Sequence, residues 1–205
     1  MAGLFISLDG IDGSGKSTQA KALGDWFARA GREVILLRDP GGTRLGESLR
    51  EILLHRNEIS LSMTAEMLLY MASRAQLVTE VIRPSLAKGC IVISDRFLLA
   101  NVVYQGYAGG ESVETVWSVG NIATGGLNPD LTFVFDMPVA DALRRIERGF
   151  DRLESRGESY MEKVRQGFIA ESKRLGALAI HVDASQSIEA IHQRIINEIQ
   201  KRGLA

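Results

Sequence analysis

One cysteine, Cys90, occurs in the whole chain, so no intrachain disulfide can form. It sits in the apolar run Cys90-Ile91-Val92-Ile93, where a buried, inert thiol is the expected role. A reducing, cytoplasmic compartment fits that usage. An excess of either charge is also missing: 24 Lys and Arg against 25 Asp and Glu leave a net charge of −1. A chain so balanced has no global field to attract nucleic acid or an anionic membrane, so any phosphate must be bound by local groups. The first apolar stretch, Leu4 to Leu8, is too short for a signal peptide or a membrane span, and Asp9 ends it. There is no repeat, low-complexity tract or linker, so residues 1–205 read as one domain. Histidine is scarce: His55, His181 and His192 read as helix-surface or strand residues, and none lies near a motif to serve as a base.

Short apolar runs alternate with longer helical patterns. The strand candidates are Leu4–Asp9, Glu33–Leu37, Ile91–Asp95, Leu131–Asp136 and Ala179–Val182, each nearly continuous in apolar residues, as in strands covered on both faces. Helices are expected over Ser17–Ala30, Leu45–Leu54, Thr64–Ala87, Val113–Thr124, Ala140–Arg148, Ser159–Leu175 and Ile188–Arg202. Pro84 should kink or shorten the third of these. The alternation predicts a doubly wound α/β fold with a parallel sheet, in which ligands bind beyond the carboxyl ends of the strands.

The strongest signal lies directly after the first strand. Gly10-Ile11-Asp12-Gly13-Ser14-Gly15-Lys16-Ser17-Thr18 fits G-x-x-x-x-G-K-[ST] at every fixed position. Its glycines let backbone N–H groups converge on phosphate oxygens, and the helix after the loop adds its positive end. Lys16 can reach β/γ-phosphates, and the Ser17 hydroxyl can ligate Mg²⁺. The motif also has its required context, an apolar strand before it and an amphipathic helix after. A kinase, an ATPase and a GTP switch all remain compatible with it, although the N-K-x-D guanine motif of a GTP switch is absent. Asp12 would repel a nucleotide's phosphates unless it has another task, such as holding a sugar hydroxyl or a metal-bound water on a second substrate. A solvated loop aspartate is the plainer alternative.

Further elements occur in order along the chain. Arg38-Asp39-Pro40-Gly41-Gly42-Thr43 comes after the second strand, and Asp95-Arg96-Phe97 after the third, with Asn101, Tyr104 and Gln105 close behind. Asn128-Pro129-Asp130-Leu131 precedes the fourth, and Asp151-Arg152-Leu153-Glu154 lies in a charged segment. With the phosphate loop, this ordered set resembles the thymidylate kinase family, bacterial type, over most of the chain. The resemblance implies a P-loop nucleoside-monophosphate kinase fold, with a five-stranded parallel sheet surrounded by helices. It implies ATP and Mg²⁺ as cofactors, dTMP as the phosphoryl acceptor on the way to dTTP, and a homodimer formed through helices. A kinase for another monophosphate is the runner-up. A non-catalytic nucleotide switch is a distant third, since Lys16, Asp95 and Arg96 are all retained.

By the same resemblance Asp95 joins Ser17 at the metal, and Arg96 holds the acceptor phosphate; alone, Asp95-Arg96 could be a surface ion pair. Tyr70 and Arg74 are spaced i, i+4 and share a helix face. Taken alone they read as a core ring and a solvated charge, whereas the family uses such a pair to hold thymine. Asn101 can donate and accept at once, as the polar edge of a pyrimidine requires, and Gln105 lies nearby. Tyr104 resembles the residue that leaves no room for a 2′-hydroxyl. Asp39 joins the substrate set. Arg50 matches a phosphate-directed arginine, with a helix-surface arginine nearly as good a reading.

No basic residue occupies Ile11 to Ser14, so another cation must meet the transferring phosphoryl group. The segment at about 144–158 is dense in charge and bracketed by Gly149 and Gly157, which suits a lid; a solvated helix with i, i+4 pairs would look similar. Arg152, and second Arg148, match the family's lid arginine. The chain departs from the family pattern at Asp39 (Glu), Phe97 (Tyr or His) and Ala100 (Ser). The phosphate loop alone yields a first prediction: Lys16→Ala abolishes phosphoryl transfer while circular dichroism shows an intact fold. Wild-type turnover by the folded variant would overturn the loop assignment.

Overall fold

The computed structural model describes residues 2–56, 58–146 and 152–204. Among these, five parallel strands form one sheet in the order β2-β3-β1-β4-β5. In chain order they are β1 (Leu4–Gly10), β2 (Val34–Arg38), β3 (Ile91–Asp95), β4 (Leu131–Asp136) and β5 (Ala179–Asp183). Between and after them come α1 (Lys16–Arg29), α2 (Arg44–Leu54), α3 (Met63–Leu77), α4 (Arg83–Ala87), α5 (Leu98–Asn101), α6 (Val113–Thr124), α7 (Val139–Arg144), α8 (Glu158–Leu175) and α9 (Ile188–Lys201).

Every residue of β1 is buried, as a central parallel strand requires. Its side chains alternate between two cores: Leu4, Ile6 and Leu8 join one with Leu23 and Phe27 of α1 and Ile195 and Ile199 of α9. Phe5 joins the other with Met71 and Leu77 of α3 and Val116 of α6. Each fully buried aliphatic or phenyl side chain contributes roughly 1.5–3 kcal/mol of transfer free energy. Asp130 also has a structural role, because its Oδ2 accepts the Phe5 N–H at 2.8 Å and so fixes where β1 begins. Register then decides where the chemistry sits. Leu8 pairs with Asp95, Arg38 with Asp95 and Gly10 with Phe135, so the ends of β1, β2, β3 and β4 reach one edge together.

The expected strands agree with the observed ones to within a residue or so. Two helical features differ from expectation. Pro84 does not shorten its helix, which runs to Ala87 as expected; α3 passes through a π-helical segment (Val78–Ile82) into α4, which contains the proline. A wider π turn changes the hydrogen-bond register just before the residue that lacks an N–H, so the helix continues. Secondly, α5 and a second π segment (Val102–Ala108) fill a stretch for which no helix is expected. Residues 98–106 are buried throughout, and a helix buried on every side shows no amphipathic period. The expected helix Ala140–Arg148 is seen as α7, and residues 147–148 lie outside the described residues.

Side-chain caps start α2, α3, α6 and α9, where Thr43, Ser62, Ser112 and Ser187 accept N–H groups of their own first turns. α1 differs: its N-cap is Gly15 in the left-handed region, φ 90°, with no side-chain cap. A helix opened in this way presents its first N–H groups to an anion. Gly13 brings the same loop against α7. A Cβ there would lie 2.1 Å from the Ala142 carbonyl oxygen, and φ is +81°. Gly13→Ala should therefore destabilise the protein by about 2 kcal/mol through overpacking and an unfavourable backbone. Urea unfolding checks this; a change below measurement error would show that loop and helix separate freely.

Candidate active site

A cavity of about 820 Å³ opens at the aligned strand ends. The phosphate loop contributes Asp12, Gly13 and Ser17 to it, and the turn after β2 contributes Asp39 and Pro40. β3 contributes Asp95 with Arg96, α3 contributes Tyr70 and Arg74, and the α5–π segment contributes Asn101, Tyr104 and Gln105. Arg50 lines it from α2. Residues from six separate stretches thus meet as the motif order suggested.

The phosphate loop folds over its own lysine. Lys16 Nζ donates to the Ile11 carbonyl at 2.7 Å and lies 4.0 Å from Asp12 Oδ1. Burial pushes the Lys16 pKa below the ordinary lysine value. Ser14 Oγ donates to the same Ile11 oxygen at 2.7 Å, which tightens the turn. Ser17 Oγ meets Asp95 Oδ2 at 2.5 Å, so two hard oxygen ligands lie side by side at the loop's mouth. This donor set suits Mg²⁺, which takes one or two protein oxygens and leaves the rest of its shell to water and phosphate.

Arg96 has φ +71°, a strained value for a side chain with a Cβ, and the strain aims its guanidinium across the cavity. Nη2 pairs with Asp12 Oδ2 at 2.9 Å and donates to Tyr104 OH at 3.1 Å, and the guanidinium sits 4.9 Å from the Tyr104 ring centroid. Burial opposes its charge, but Asp12, Tyr104 and Asp95 outweigh that and hold its pKa well above the ordinary arginine value. Arg74 is 1% exposed. Its Nε binds Asp39 Oδ2 at 2.5 Å, and its Nη2 donates to the Phe97 carbonyl at 3.2 Å. The shorter Asp39 therefore serves the second-strand turn by pairing with α3. Phe97 carries a packing role: it meets Phe5 edge-on at 4.9 Å and lies under the Arg74 guanidinium at 5.3 Å. Arg50 donates to the Pro40 carbonyl at 2.9 Å, and burial with nearby Arg38 lowers its pKa.

Of the two expected lid arginines, Arg152 stands apart. Arg152 does not line the cavity; its Nη2 donates to the carbonyls of Arg56, at 2.5 Å, and Ile52, at the end of α2. Arg148 lies outside the described residues. Sequence reasoning gave no site role to the lining residues Arg38 and Leu54, while Arg145 and Leu153 line the cavity from within the expected lid segment. Arg38 had a signal, since it ends β2 at the active edge. His55, read as a helix-surface residue, lies at the cavity's rim. Glu66 was also missed, although it is buried one turn before Tyr70 on the same face of α3.

A parallel sheet with a phosphate loop after its central strand, facing a second binding region across one cavity, defines the P-loop nucleoside-monophosphate kinase fold. The crystal structure of thymidylate kinase from Ehrlichia chaffeensis shares this fold with TM-score 0.79 and 29% identity, over 96% of this chain and 98% of that one. A family model described as Thymidylate kinase matches residues 8–195. The thymidylate kinase of Kosmotoga olearia is 44% identical over 197 residues, covering 95% of this chain and 94% of the relative. That of Caldanaerobacter subterraneus subsp. tengcongensis is 44% identical over 202 residues, covering 98% and 97%. The chain belongs to the thymidylate kinase family.

Beneath the loop, Asp9 is fully buried, and burial raises its pKa from 3.8 to about 6 against the opposing pull of Arg96, Ser7 and Lys16. A raised carboxyl pKa means the folded state holds its proton more tightly than the unfolded chain. The stability this gives is complete below pH 3.8 and is lost as pH rises through about 6. Asp9→Asn should therefore gain stability relative to the parent between pH 4 and 7, by about 3 kcal/mol at most. Urea titrations at both pH values check this; a difference that does not vary with pH would show that Asp9 ionises normally.

Proposed function

We propose that the chain transfers the γ-phosphoryl group of ATP to dTMP, giving ADP and dTDP, a step in dTTP synthesis. The observation that carries this is the single cavity, with the phosphate loop at one end and Tyr70, Arg74, Asn101 and Gln105 at the other. Its volume suits small molecules of nucleotide size. In this reading the amides of Gly10 to Thr18 and the Lys16 ammonium receive the phosphates of ATP. Arg96 and Arg50, with Arg38 beside them, receive the phosphate of dTMP. Asp12 turns toward the sugar, and Tyr104 packs where a 2′-hydroxyl would stand. Tyr70 stacks on the base, Arg74 donates to it, and Asp39 holds Arg74 in place.

The reacting oxygen of dTMP already belongs to a phosphate anion, so no strong base is required, and catalysis comes from positioning and electrostatics. Bound at Ser17 and Asp95, Mg²⁺ supplies positive charge to the ATP phosphate oxygens. Arg148 and Arg152 are the proposed cations of the 144–158 lid. For Arg152 this means exchanging the carbonyls of α2 for phosphate oxygens.

Residues 1–205 act as one domain in a reducing cytoplasm, which the lone buried Cys90 supports. No helix among the described residues is long and apolar enough to cross a membrane. A homodimer would cover Leu68 of α3 and Ile122 of α6, large side chains left exposed on neighbouring helices.

A coupled assay of ADP release tests the reading. Among the common deoxy- and ribonucleoside monophosphates, dTMP should give the highest kcat/KM. Faster turnover of another monophosphate would reassign the substrate. Tight ATP binding with no transfer to any of them would support a nucleotide switch instead.

A further inference from the structure

Asn101 lines the cavity, yet its side chain is only half satisfied by the protein. Its Nδ2 donates to Gln105 Oε1 at 2.6 Å, and its buried Oδ1 has no hydrogen-bond partner among the described residues. The chain of contacts continues away from the cavity. Gln105 Nε2 donates to Glu66 Oε1 at 2.9 Å. Glu66, 1% exposed, accepts Arg156 Nη2 on its other oxygen at 2.6 Å. Arg156 also donates to Tyr160 OH at 2.9 Å, and Tyr160 OH donates to the Tyr104 carbonyl at 2.8 Å. Neither Glu66 nor Arg156 lines the cavity, and the proposed chemistry uses neither.

The polarity of this relay is dictated from its outer end. A guanidinium carries only donors, so the Glu66 oxygen it meets at 2.6 Å must accept, and the two form an ion pair. An ionised carboxylate only accepts, so Gln105 must turn its NH₂ toward Glu66 and its carbonyl toward Asn101. Asn101 must then give its NH₂ to Gln105. The group left for the cavity is the Asn101 carbonyl oxygen. Two linked amides without the ion pair could both flip and present an NH₂ instead.

We infer that Glu66 and Arg156 are positioning residues that fix Asn101 as a hydrogen-bond acceptor, and so select a pyrimidine carrying N3–H over one with a bare N3. Thymine and uracil carry that N–H, whereas neutral cytosine offers a lone pair, and two lone pairs facing each other in a buried site repel. The inference rests on the pyrimidine reading of the cavity given under the proposed function. It assigns the discrimination to a carboxylate and a guanidinium that never touch the base.

The test compares Kd and kcat/KM for dTMP and dCMP in the full chain and in Glu66→Gln, Arg156→Met and Arg156→Lys. Gln at position 66 nearly preserves shape but can donate as well as accept, so the lock is lost. The dTMP-over-dCMP ratio should fall by about tenfold, the scale of one buried hydrogen bond, with KM for ATP unchanged. Arg156→Met should lower the same ratio, and Arg156→Lys should keep most of it. Arg156 is partly exposed, so its variants carry the test should Glu66→Gln fail to fold. Equal losses for both nucleotides, or an unchanged ratio in folded variants, would overturn the inference. Failure of the parent chain to bind dTMP would instead remove the site reading itself, and the parent arm reports that separately.

Discussion

The register between neighbouring parallel strands sets everything that happens at this site. Leu8 beside Asp95, and Arg38 beside the same residue, bring three chain reversals to one level. A slip of one residue in β3 would turn Asp95 to the other face of the sheet. It would part Asp95 from Ser17 and re-aim Arg96. The buried pattern of β1 and β3 makes such a slip costly, since each strand has apolar side chains committed to both cores. The packing that stabilises the sheet is thus the same packing that holds the reactive groups in place.

Binding two polyanions with a chain of net charge −1 requires that positive charge be concentrated and then balanced locally. Three of the cavity arginines show how: Arg74 has Asp39, Arg96 has Asp12, and Arg50 has the Pro40 carbonyl. These partners differ in kind. Arg74 and Asp39 are both buried, and removing either would strand the other's charge, at a cost on the order of 3–5 kcal/mol. Arg96 and Asp12 line the cavity and are less deeply buried, at 15% and 25% exposed. The first pair is held rigidly by its burial; the second keeps contact with solvent in the cavity.

How much of this could be read from the chain depended on whether the signal was local. The phosphate loop, the strand ends and the i, i+4 pair Tyr70 and Arg74 are local, and the structure brings them together. The α5–π helix was illegible, because a helix enclosed on every side carries no period in its sequence. Asp39 could be read as a site residue, but its pairing with Arg74 across 35 positions could not. Glu66 and Arg156 are 90 positions apart, and nothing short of the tertiary structure joins them. The charged segment shows the opposite limit: its composition suggested cavity-facing arginines, while Arg152 satisfies the exposed carbonyls that end α2.

The second π segment has a consequence for how such a protein can change over time. Tyr104 and Gln105 lie within Val102–Ala108, and Asn101 lies just before it. A π turn holds one more residue than an α turn, so the segment behaves as an α-helix that has accommodated an insertion. Loss of one residue there would restore the α turn and leave the flanking helix in phase, so the change of aim falls on the residues inside the wide turn. Tyr104 and Gln105 lie inside that turn and could not both keep their aim after such a loss. Substitutions along this wall can be explored one at a time, but a change in its length moves several cavity-lining side chains in a single event. Lineages that diverge in specificity should therefore differ here in residue identity far more readily than in residue number.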